Sequence, residues 1–139
     1  MPAPVASTWL AVGVARVRFV GRLARPEYRE LLCSAHVGLA VTVPGVSPPS
    51  FPSKIVEYCG LGLPVIVAVE PSSDAGTLVE ARGAGLSIPV SDADALAKAL
   101  RRLQAELSDG LLVERSQRAR AFYLGELSAE AAARALLGT

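Results

Sequence analysis

Residues 51–63, FPSKIVEYCGLGL, place a serine, a lysine and a glutamate (Ser53, Lys54 and Glu57) close behind a proline-rich run. Ser53 is of a type that caps helix N-termini, and SKIVEYCGLG reads as a short helix with a glycine stop. Lys54 and Glu57 then stand near that helix's start. They are either the wet side of a helix or a grip on something bound at its N-terminus. Other chemistry is scarce. His36 is the single histidine, and Cys33 and Cys59 lie far apart with no CxxC spacing, so a zinc site is not expected. The two thiols read as reduced and buried, as in a cytosolic protein. No residue pattern offers a general base or a nucleophile, and neither GxGxxG nor GxxxxGK[ST] occurs.

The elements that must hold these side chains alternate. Residues 16–20 (RVRFV) form a β-rich run closed by Gly21, and residues 26–35 (PEYRELLCSA) begin a helix with proline in its first turn. Residues 37–43 (VGLAVTV) are almost wholly apolar, as in a strand covered on both faces. Residues 44–52 contain four prolines and a glycine, which forbid a regular element. After the short helix come PVIVAV (64–69) as a second apolar strand, a helix capped at Ser72 or Ser73, and LSIPV (86–90) as a weaker strand. Asp74 and Glu80 in that helix read as cap and surface residues, and Glu70 stands just past the second strand. From Asp92 onward the chain is helical. This order predicts an α/β fold, a Rossmann-like parallel sheet with helices on both faces and a helical C-terminal tail.

Composition agrees. The 139 residues suit one domain, about half of them apolar with few aromatics, as in small-residue helix–sheet packing. A formal charge of +1 offers no electrostatic case for nucleic acid. Arg101, Arg102, Arg115, Arg118 and Arg120 read as helix surface. The apolar start lacks a basic segment and falls short of the roughly 20 residues that span a bilayer.

FPSKIVEYCGLGLPVIV is similar to the signature of GT-B glycosyltransferases of the family 4 type. RVRFVGRL with EYRELLCSAHVGLAV resembles that family's strand, glycine, helix and A-D-V-G-L segment. LVEARGAGLSIPVSDADALAKALRRL resembles its ending, and RARAFYLGELSAEAAARALL its tail. The likeness runs from about residue 10 to 138. It implies a nucleoside-diphosphate sugar as donor substrate, retaining transfer and no metal. By that resemblance Glu57 binds the ribose hydroxyls, Ser53 and Lys54 face the donor diphosphate, and Gly21 and Arg22 belong to the loop that approaches the base. No catalytic residue is carried over.

The chain departs from the family where Pro49 replaces its first glutamate and His36 its usual Asp. His36 reads as a helix–strand junction residue. On this resemblance residues 1–139 are a single partial domain, an incomplete GT-B C-terminal domain with residues 1–12 disordered. Two strands and the family's Arg–Lys pair would be missing, and VGLAVTV would expose an apolar edge prone to pairing. In the order 3-2-1-4-5-6, RVRFV would be strand 3 and VGLAVTV strand 4. A second chain or an N-terminal domain would complete the sheet and cleft, and the chain alone would be inactive and marginal or self-associating. The expected setting is the cytoplasm, with attachment to the inner face of the membrane an option. The alternative function is a non-catalytic remnant or interaction module that kept the fold.

Overall fold

The computed structural model describes residues 17–45 and 49–138. The disorder expected for residues 1–12 falls outside them. The chain divides into two units, residues 1–31 and 32–139.

In the first unit residues 17–20 are not a strand. This corrects the expectation for RVRFV. An extended segment is stable only when its backbone groups find a ladder, and residues 17–20 have none among the described residues. Val17, Phe19 and Val20 are all exposed. Gly21 follows in the left-handed region at φ 71°, and Glu27 Oε2 accepts the Ala24 N–H at 3.1 Å. Helix α1, Arg25–Ser34, begins there and its last residues belong to the second unit.

The second unit is built on strands β1 (Gly38–Val41), β2 (Val65–Ala68) and β3 (Gly85–Ile88). They form a parallel sheet in the order β1-β2-β3, with Leu39 opposite Ile66 and Ile66 opposite Leu86. Central β2 is buried along its whole length, which is why its sequence is unbroken VIVA. Between and after the strands run α2 (Ser53–Gly60), α3 (Ala75–Ala81), α4 (Ala93–Ser108), α5 (Leu112–Phe122) and α6 (Ala129–Leu137). The fold is α/β and Rossmann-like.

Both faces of the sheet are covered, as expected. On one, Val65, Val67 and Ala40 pack with Ile55 and Cys59 of α2, Val79 of α3, and Ala119 and Phe122 of α5. On the other, Ile66 and Leu86 pack with Ala99 and Leu103 of α4. β1 is the strand that leaves large apolar side chains exposed. Gly38 and Ala40 are buried, whereas Leu39 is 43% and Val41 58% exposed, and Val43 just beyond is 69% exposed. Among the described residues β1 pairs with β2 alone, so the expected apolar edge is present.

The tail is anchored through arginines that the sequence assigned to the surface. Arg115 holds Glu106 at 2.6 and 2.8 Å and donates to Gly85 O at 3.2 Å. Arg120 donates to Gly60 O and lies 5.3 Å from the centre of the Tyr123 ring. The reason for the difference is tertiary: helix and strand ends leave carbonyls unpaired, and a long guanidinium can reach them. A π-helical turn, Tyr123–Leu127, follows α5 and leads into Ser128, whose Oγ accepts the Ala131 N–H at 3.1 Å as the cap of α6.

Candidate functional site

Helix α2 carries three of the five expected site residues. It starts directly after the β1–α2 connection, so its N-terminus lies at the carboxyl ends of the strands, where open α/β sheets bind ligands. Ser53 is the first helical residue rather than the cap. Pro52 occupies the cap position and makes no side-chain capping bond. Proline there has no hydroxyl to offer, so the expected Ser53 cap is not formed. The Pro52 carbonyl instead accepts the Ile55 N–H at 3.1 Å.

Ser53 and Lys54 are exposed, and Glu57 is half-buried. Lys54 and Glu57 are three residues apart and share one side of α2. At a rise of about 1.5 Å per residue, Ser53 and Glu57 are separated by about 6 Å along the axis. The positive end of a helix dipole attracts anions, and an ionised carboxylate can accept from two adjacent hydroxyls at once. An anion at Ser53–Lys54 with a diol at Glu57 is therefore chemically consistent on this one helix. Gly21 and Arg22 lie in the first unit, where both are exposed.

The apolar side of α2 is fixed from both ends. Ile55 and Cys59 are fully buried, and burial pushes the Cys59 thiol up to about 11. Cys33 is exposed, contrary to expectation, because it lies near the end of α1, a helix with no buried residue. The Tyr58 ring packs on Gly38, where an added Cβ would lie 2.5–2.8 Å from three ring carbons. At the C-terminal end Gly60 and Gly62 give their carbonyls to Arg120 and Ser116 of α5.

Pattern reasoning missed how the loop before α2 is held. Pro44 and Gly45 make a turn in which Gly45 has φ 79°. Its N–H donates to Glu70 Oε1 at 2.8 Å. Ser73 Oγ donates to Ser50 O at 2.7 Å and accepts the Ala75 N–H at 3.3 Å. The turn residues were visible in the sequence, but their partners lie more than 20 positions away. Asp74 occupies the cap position of α3 without a capping bond, and Glu80 accepts the Ser87 N–H at 2.8 Å. His36 lies between α1 and β1, as expected of a junction residue.

A cavity of about 330 Å³ opens elsewhere, lined by His36, Leu63, Pro64, Leu107 and Ser116 among others. His36, Leu63 and Pro64 directly precede β1 and β2, so the cavity lies at the amino ends of these strands, opposite the start of α2. Among the described residues no group of three or more His, Cys, Asp or Glu could hold a metal ion. No described helix is long and apolar enough to cross a membrane.

The family model for glycosyl transferases group 1 matches residues 2–106. Neither a curated protein nor a solved structure matches the chain.

Proposed function

Because the chain belongs to the family glycosyl transferases group 1, we propose that it is the donor-binding domain of a retaining, GT-B, family 4 type enzyme. Its substrate is a nucleoside-diphosphate sugar. The observation that carries this reading is the placement of α2: a helix N-terminus at the carboxyl end of the sheet, with a half-buried carboxylate one turn in. Glu57 accepts the ribose hydroxyls. Ser53, Lys54 and the helix end meet the diphosphate, and Gly21 and Arg22 form the base-side loop. Positive charge and aimed N–H groups stabilise the diphosphate as it departs, and such electrostatic stabilisation is a large contribution in transfers of this kind. The diphosphate charge is assigned to these groups, with no metal ion. Acceptor binding is assigned to a second half, supplied by another domain or chain, and the chain by itself is expected to be inactive.

Titration with UDP, GDP and ADP tests the reading. At least one should bind, and Glu57→Ala should weaken it about tenfold or more, the scale of lost charge-assisted hydrogen bonds. No binding of any of the three at near-millimolar protein would overturn it. The second reading, a non-catalytic interaction module, is favoured by the exposed Leu39, Val41 and Val43 at the sheet edge. It expects concentration-dependent association without nucleotide binding.

A further inference from the structure

We propose that Glu70 and Ser73 are positioning residues for nucleotide binding: they hold the loop entering α2 and so set where its N-terminus points. The proposal rests on the donor-binding reading given above. Both residues belong to one tight turn directly after β2. The Ser73 N–H donates to Glu70 O at 2.9 Å, and Pro71 lies between them at the turn position proline favours. That turn presents two side chains to the neighbouring loop. Glu70 takes the Gly45 N–H at 2.8 Å, on the near side of the β1–α2 connection. Ser73 Oγ reaches Ser50 O at 2.7 Å, on its far side, three residues before the helix begins.

The two bonds are complementary in chemistry and place. Gly45 sits at φ 79°, a conformation that costs glycine little and other residues more, and this turns its N–H toward the carboxylate. A carboxylate accepting a backbone N–H is among the stronger hydrogen bonds available near a surface. Thr42 Oγ1, at the exit of β1, contacts Ala68 O at the exit of β2, at 3.5 Å. Thr42, Ser50, Glu70 and Ser73 all line one small recess at the carboxyl end of the sheet. The loop therefore leaves β1 along β2 and enters α2 from a fixed point. Pro52 supplies no capping side chain, so these two bonds hold the approach to α2 from outside the helix.

Glu70→Ala, Glu70→Gln and Ser73→Ala in the full chain test the proposal against wild type, with two readouts. The first is affinity for whichever of UDP, GDP and ADP binds the wild type. The second, measured without nucleotide, is hydrogen exchange at the Gly45 amide and in the first turn of α2. Glu70→Ala should weaken the nucleotide about threefold to tenfold, the range of one hydrogen bond, and unprotect Gly45. Glu70→Gln keeps an oxygen acceptor and should restore both. Ser73→Ala should speed exchange in the first turn of α2. Equal weakening by Gln and Ala would overturn the proposal, since the charge itself would then touch the ligand. Unchanged affinity and exchange in Glu70→Ala would also overturn it. If no nucleotide binds the wild type, the donor-binding reading fails, and protected exchange lost only in the alanine variants still identifies the clamp.

Discussion

Gly38→Ala is the sharpest test of how the candidate site is seated. Gly38 is buried at the start of β1, and its backbone is outside the left-handed region, so alanine is permitted there by the chain itself. The obstacle is Tyr58, whose ring carbons would lie 2.5, 2.7 and 2.8 Å from the new Cβ. Carbon atoms settle at about 3.5–4.0 Å, so the ring must retreat by about 1 Å from its seat, where Tyr58 is 7% exposed. Overpacking of that kind costs about 1–3 kcal/mol. Alanine recovers about 0.5–1 kcal/mol of the entropy that glycine loses in a strand. The net is a loss of up to about 2.5 kcal/mol, centred near about 1 kcal/mol, or a fall in melting temperature of up to roughly 10 °C for a chain of this size. Urea unfolding of wild type, Gly38→Ala, Tyr58→Ala and the double variant measures it. Alanine at position 58 removes all three ring carbons that the new methyl would meet, so the double variant should be more stable than the two single losses predict, by about 1 kcal/mol. Losses that add to within about 0.5 kcal/mol would show that the ring does not rest on Gly38. Because Tyr58 adjoins Glu57 on α2, nucleotide affinity should weaken in Gly38→Ala and recover in part in the double variant.

Three other outcomes are expected. Hydrogen bonds from Arg115 hold the Glu106 carboxyl below its ordinary value, so its contribution is complete above the unfolded carboxylate pKa and is lost as pH falls through the folded one. Glu106→Gln should therefore lower the urea midpoint at neutral pH and flatten its fall below about pH 5; an unchanged acid slope would count against the pair. An aromatic disulfide reagent at pH 8 should label the exposed Cys33 at once and Cys59, buried with its thiol pushed up to about 11, only on unfolding; two fast thiols would contradict the burial of α2. Ser128→Ala should cost about 1 kcal/mol in a thermal melt, because it removes the 3.1 Å cap on α6.

How much of this was legible depended on distance along the chain. VIVA could be read as a covered strand because burial on both faces leaves an apolar run, and α4 because Asp92 caps it and its Leu and Ala residues recur at helical spacing. RVRFV shows the limit of the same logic. Its residues have strand propensity, yet a strand exists only where a neighbour accepts its backbone bonds, and propensity does not contain the neighbour. Val37, Thr42 and Val43 continue the apolar, β-branched run of VGLAVTV, yet the ladder confines the strand to Gly38–Val41.

The candidate site divides along the same line. Lys54 and Glu57 could be placed on one helix beside a strand's carboxyl end because helix period, glycine stop and element order are all local. What fixes that helix is not local. Arg120 reaches Gly60 across 60 positions, Glu70 reaches Gly45 across 25, and Gly38 must be small because of a ring 20 residues later. In each case one partner looks ordinary in sequence: a surface arginine, a loop glutamate, a strand glycine. The feature that did carry information was the pairing of turn chemistries, Pro44–Gly45 on one loop and Pro71 to Ser73 on the next. Two tight turns following adjacent parallel strands must emerge at the same end of the sheet, and polar side chains there have each other's backbone within reach. That inference needs the strand order as well as the turns, so the neighbouring order β1-β2 is the step that turns Glu70 from a loop glutamate into a holder of α2.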